Sequence, residues 1–171
     1  MNRAILLAVA CCALLVAQQP PKTNWSVQEV TAGTLQAIQT GMRTLTPGPG
    51  NTVLSVKALI RSSAPENLLI RTGEVFLQTT QGAKADLAGV GIPGKTGACS
   101  YELAKGLVSG FVGVSDDSGN GFDLGRKVET EPLGIKLKHN PARLCLAFIV
   151  PNTAPGGTLN LEGATAPVKL P

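Results

Sequence analysis

The chain predicts an all-β fold, an antiparallel β-sandwich or barrel built as a single domain. Three observations predict it. Short apolar runs alternate with polar residues at period two, the spacing of a strand with one buried face. Turn-forming residues recur between them, with 20 Gly and 12 Pro among 171 residues. No segment sustains a helical apolar period, and many short strands separated by turns at roughly ten-residue spacing are the signature of sandwiches and barrels.

The elements follow in order. Residues 33–43 form the nearest helix candidate, with Leu35 and Ile38 three apart, although 35–38 also fits a short strand. Residues 52–60 place Leu54, Val56, Ala58 and Ile60 on one face and Val53, Ser55, Lys57 and Leu59 on the other, predicting a half-buried strand. Residues 74–79 set Val75 and Leu77 against Glu74, Phe76 and Gln78. Residues 107–114 are apolar but interrupted by Gly110 and Gly113, as in a bulged strand. Residues 133–138 point Leu133, Ile135 and Leu137 inward and Lys136 and Lys138 to water. Residues 144–150 are the most apolar run after the leader and predict a central strand buried on both sides, Phe148 included. Residues 158–161 and 166–170 read as terminal strands. Between them, 46–50, 62–65, 89–94, 115–121 and 151–157 carry Gly, Pro, Asn and Ser and read as turns.

The N-terminus carries a targeting pattern. Arg3 precedes an apolar run from Ala4 to Ala17, followed by polar Gln18 and Gln19 and then Pro20 and Pro21. A basic start, a short apolar middle and a small residue at the end make a secretory signal peptide over residues 1–17. The run is too short for a membrane helix, which takes about 20 apolar residues. The expected product is secreted, periplasmic or held at the cell envelope, with an exposed leader over 18–24 and a β-sandwich domain over 25–171. Ala8, Val9, Ala10 and Cys11 loosely match a lipobox, in which Cys11 would carry a lipid anchor.

Charge and cysteines narrow the function classes. The chain has 15 Lys and Arg against 11 Asp and Glu. The basic residues are scattered and aromatics are few, which argues against nucleic-acid binding, where positive charge is gathered into patches. Cys11 and Cys12 lie in the signal; Cys99 and Cys145 remain and are expected to form a disulfide after export.

Two segments invite chemistry. Asp116, Ser118 and Asn120 carry oxygen at alternate positions, Gly121 follows and Asp123 lies just beyond, echoing the first half of a calcium loop. The twelfth position, where a bidentate Glu is expected, holds Lys127. The same residue types also build ordinary hairpin loops. His139 is the only histidine; a hydrolase built on it would need a nucleophile such as Ser109 or Ser115 and an orienting acid in contact. No nucleophile-elbow pattern accompanies either serine. Trp25 is expected to anchor the first strand or to mark a binding surface. Asn24, Trp25 and Ser26 form a glycosylation sequon, which matters only on a eukaryotic route.

Three stretches carry a resemblance to a known family: residues 50–62 (GNTVLSVKALIRS), residues 76–82 (FLQTTQG) and residues 143–151 (RLCLAFIVP). They resemble strands of the telokin-like, immunoglobulin-like β-sandwich domains of exported bacterial proteins, over roughly 50–161. The Cys-Trp-Cys core of antibody domains is missing, since Trp25 precedes both later cysteines. The resemblance implies an immunoglobulin-like antiparallel scaffold with no catalytic residues to carry over. The expected function is a non-enzymatic exported module that binds a protein or cell-envelope partner through loops or sheet edges. The 116–123 loop is the first choice of contact, and calcium dependence or a His139 hydrolase are the alternatives.

Overall fold

The computed structural model describes residues 23–40, 43–104, 111–125, 134–153 and 155–170. Their strands are β1 (Trp25–Leu35), β2 (Ile38–Gln39), β3 (Thr44–Leu45), β4 (Asn51–Ser62), β5 (Leu69–Arg71), β6 (Val75–Thr79) and β7 (Lys84–Pro93). They continue with β8 (Cys99–Leu103), β9 (Phe111–Ser115), β10 (Gly121–Gly125), β11 (Gly134–Leu137), β12 (Ala142–Pro151), β13 (Gly157–Leu161) and β14 (Ala164–Val168). A single 3₁₀ turn, Thr72–Glu74, leads into β6, and no α-helix occurs among the described residues. The signal segment, Cys11, Ser109, Lys127, Leu133 and the 107–110 part of the bulged-strand candidate lie outside the described residues.

All ladders are antiparallel. The main sheet runs β1-β4-β12-β7-β6-β13-β14, with β8 added to β7. A second sheet runs β5-β11-β10-β9, and β2 and β3 form a small ribbon. As its composition predicts, β12 is central, held between β4 and β7. The main sheet nearly closes on itself. Strands β1 and β14 lie side by side without a ladder. There the Trp25 indole N–H donates to Glu162 Oε2 at 2.8 Å. Trp25 is thus a buried anchor of the first strand. Glu162 stands in the two-residue turn before β14 with φ 47°, and Gly163 follows at φ 87°. Successive positive φ values match the twist of a tight hairpin.

The core has two parts because β4 and β12 are apolar on both faces. Leu54, Val56, Ala58 and Ile60 of β4 and Leu144, Leu146 and Phe148 of β12 face Phe122 and Leu124 of β10, Ile135 and Leu137 of β11, and Leu77 of β6. Burying each such side chain contributes about 1.5–3 kcal/mol. On the opposite face Val53, Ala88, Cys145 and Ala147 form a second, smaller core under Ile38 and Tyr101.

This second core corrects three expectations. The helix candidate over 33–43 is not helical where it is described: 33–35 finish β1 against β4, the chain bends at 36–37, and Ile38, fully buried in β2, caps the outer core. Two apolar residues three apart make too narrow a stripe to hold a helix against that ladder. The half-buried strand over 52–60 is covered on both faces at 53–56, because the ribbon and β8 fold over its outer side. The turn expected over 89–94 is the second half of β7 for all but its last residue. A Cβ on Gly91 would lie 2.1 Å from the Ser100 carbonyl oxygen, so glycine there admits β8 at close range rather than bending the chain.

Candidate functional site

A groove on the outer face of the main sheet is the candidate site, with a volume of about 500 Å³. Its floor comes from two adjacent strands. Thr31 of β1 pairs with Lys57 of β4, and Gly33 pairs with Ser55, so these residues share one face. A Cβ on Gly33 would meet nothing within 4 Å, so the floor is open above that residue. Gln36, Ala37 and Gln39, in and beside β2, line one part of the groove, and Gly97, Ala98, Cys99 and Tyr101 another.

That second wall is locked from beneath. Cys99 and Cys145 form a disulfide, with Cα atoms 6.2 Å apart, tying β8 to the fully buried Cys145 on the outer face of β12. The pairing is the one expected from sequence. It fastens the outer layer and does not cross the main core. Next to it the Tyr101 phenol and the Ser55 hydroxyl share a hydrogen bond of 2.5 Å, with both residues buried. Burial pushes the Tyr101 phenol above its ordinary value, and the Ser55 hydrogen bond offsets part of that rise. The pair therefore stays neutral and fixes the floor to the wall.

Among the described residues Lys57 supplies the only charge in the lining. Its ammonium donates to the Gly97 carbonyl oxygen. It meets no carboxylate among the described residues. By contrast Arg71, Lys84, Lys95, Lys138 and Arg143 each face Glu162, Asp86, Asp117, Asp123 or Glu29, respectively, within ion-pair distance. Bordering the groove, residues 30–40 carry no charged side chain. Beyond the ribbon a second hollow of about 430 Å³ lies among Leu45, Lys84, Asp86, Leu87, Leu103 and Ile149.

The acidic loop is ordered by its own hydrogen bonds. Asp116 Oδ1 accepts from the Ser118 amide at 3.0 Å, the Ser118 hydroxyl at 2.8 Å and the Asn120 amide at 2.9 Å. The Ser118 hydroxyl bond, ahead of the amide bonds, holds the Asp116 carboxyl below its ordinary value. Asn120 turns away to the backbone of Arg143, donating to its carbonyl at 3.4 Å and accepting from its amide at 3.3 Å. Asp123 faces Lys138 at 3.5 Å. Of the four calcium-ligand candidates, Asp116 and Ser118 are thus bonded to each other, while the side chains of Asn120 and Asp123 turn to Arg143 and Lys138. Among the described residues no group of three or more His, Cys, Asp and Glu side chains is placed to hold a metal ion.

His139 lies in the turn after β11, with Nε2 3.2 Å from where a Cβ of Gly119 would stand. Its neighbour is thus the backbone of the acidic loop, and it forms no hydrogen bond with a described residue. Ser115 ends β9 and pairs with Gly121. Neither a His–Ser nor a His–carboxylate hydrogen bond is present among the described residues, so the hydrolase arrangement is not assembled there. No helix among the described residues is long and apolar enough to cross a membrane.

Comparison with protein-family models, with curated proteins and with solved structures finds no match for this chain. The groove was missed by sequence reasoning because three separated segments, 31–39, 55–57 and 97–101, build it. The one available signal was Ser55 and Lys57 sharing a strand face beside an uncharged neighbouring segment.

Proposed function

We propose that the chain is an exported, non-enzymatic binding module that recognises an extended segment of a protein partner at the outer groove and the bordering edge of β1. The observation that carries this reading is the open, uncharged floor of the groove beside a strand that makes no ladder on its other side. Among the described residues β1 ladders only with β4, with β14 beside it but unladdered, and the 31–35 stretch that flanks the groove has none of the charges that usually blunt a strand edge. Strand addition supplies main-chain hydrogen bonds, and a neighbouring pocket for alternate side chains supplies selectivity. The groove volume falls in the range of sites that bury a small group or a few side chains, about 300–1,000 Å³.

The same reading takes the fold as an immunoglobulin-like sandwich. Its support is the shared core between the main sheet and the β5-β11-β10-β9 sheet. Export fits the disulfide, since such bonds persist in oxidising compartments. The acidic loop is a secondary surface beside the groove, reached through the Lys95–Asp117 ion pair at 2.5 Å.

Panning a random peptide library against the oxidised chain, followed by amide-shift mapping of the enriched peptides, tests this. Shifts at 31–35 and 97–101 are expected. Shifts confined to 116–123 would move the recognition surface to the acidic loop, and failure to enrich any peptide would overturn the reading.

A further inference from the structure

We infer that the segment bound in the groove carries a carboxylate, and that Lys57 is the residue that selects it. This rests on the groove reading above and adds the chemistry of the ligand. Lys57 is half-buried on β4, and its one hydrogen-bond acceptor among the described residues is a neutral carbonyl, Gly97 O. An ammonium offers three donors, so two remain for a ligand. Among the described residues no Asp or Glu lines the groove. Partial enclosure lowers the local dielectric and strengthens the attraction of an incoming anion relative to open water.

The surroundings restrict what the anion is attached to. Thr31 lies directly opposite Lys57 on β1, and both line the groove floor. A segment laid in the groove over Thr31 therefore brings an acidic side chain within reach of the lysine ammonium. The uncharged floor at Gly33 and Ser55 admits a neighbouring small or apolar side chain. A basic segment is disfavoured by like-charge repulsion at Lys57.

The test uses the oxidised full chain and the peptides enriched on it. Among peptides that shift the 31–35 and 97–101 amides, one Asp or Glu is expected at a fixed position. Changing that acid to its amide should weaken binding about tenfold, as should Lys57→Gln, while Lys57→Arg keeps the affinity. An unchanged melting temperature for Lys57→Gln shows that the loss is not unfolding. Groove-binding peptides without a fixed acidic position would overturn the inference and leave the groove reading standing, as would undiminished binding by Lys57→Gln. Peptides that never shift groove amides would overturn both.

Discussion

Replacing Gly91 by Ala tests whether β8 is seated on β7 as closely as the structure shows. The new Cβ would stand 2.1 Å from the Ser100 carbonyl oxygen, 2.8 Å from its carbon and 3.1 Å from Tyr101 Cδ1. A carbon–oxygen contact normally needs over 3 Å, so β8 must move by about 1 Å. The obstructing atoms are backbone, and no rotamer change relieves them. β8 is also held on both sides of the clash, by the Gly91–Tyr101 ladder position and by the Cys99–Cys145 link. Overpacking of this kind costs about 1–3 kcal/mol, and a lost ladder hydrogen bond adds about 1 kcal/mol. The expected loss is therefore about 3 kcal/mol, or about 10 °C in melting temperature for a domain of this size. Gly33→Ala is the control, because its Cβ meets nothing within 4 Å. Alanine in that strand should be neutral or stabilising by about 0.5–1 kcal/mol. Urea melts of the oxidised proteins read both values. If Gly91→Ala unfolds within about 1 kcal/mol of wild type, β8 does not lie where the outer core requires it.

Three further outcomes follow. Removing the disulfide, which spans 46 residues, should cost about 4 kcal/mol in the chain-entropy account, read as a lower urea midpoint for the reduced chain; coincident curves would refute it. Ser55→Ala strands the buried Tyr101 hydroxyl and should cost about 1–3 kcal/mol, whereas adding Tyr101→Phe should recover part of that loss. Simple additivity in that cycle would show the two hydroxyls are not coupled. The Asp116 carboxyl is held below its ordinary value by the Ser118 hydroxyl, so its contribution is present above the unfolded-state pKa and is lost as pH falls through the lower folded value. The stability difference between wild type and Asp116→Asn should shrink as pH falls through that window, and a difference independent of pH would contradict it.

What could be read from the sequence was whatever depended on a single strand's own period. β4, β6, β11 and β12 lie where their alternation puts them, and β12 is central because apolar residues on both faces leave it no solvent side. β1, β7, β8 and β10 escaped because their signals depend on what lies across from them. Gly89 and Gly91 look like turn residues in isolation; they are strand residues because β8 and Ile38 approach them within van der Waals range. The disulfide was legible for a different reason, since only two cysteines follow the apolar leader. The groove is the harder case, and it shows the general limit. Lys57 and Ser55 satisfy a simple alternation in which polar residues face water, and that reading is right about the face. It misses that 36–39 and 97–101, far away in sequence, fold over the same face and leave the ammonium opposite a carbonyl and no carboxylate. Periodicity locates the side of a sheet a residue occupies, but long-range cover decides whether that side is solvent, core or site.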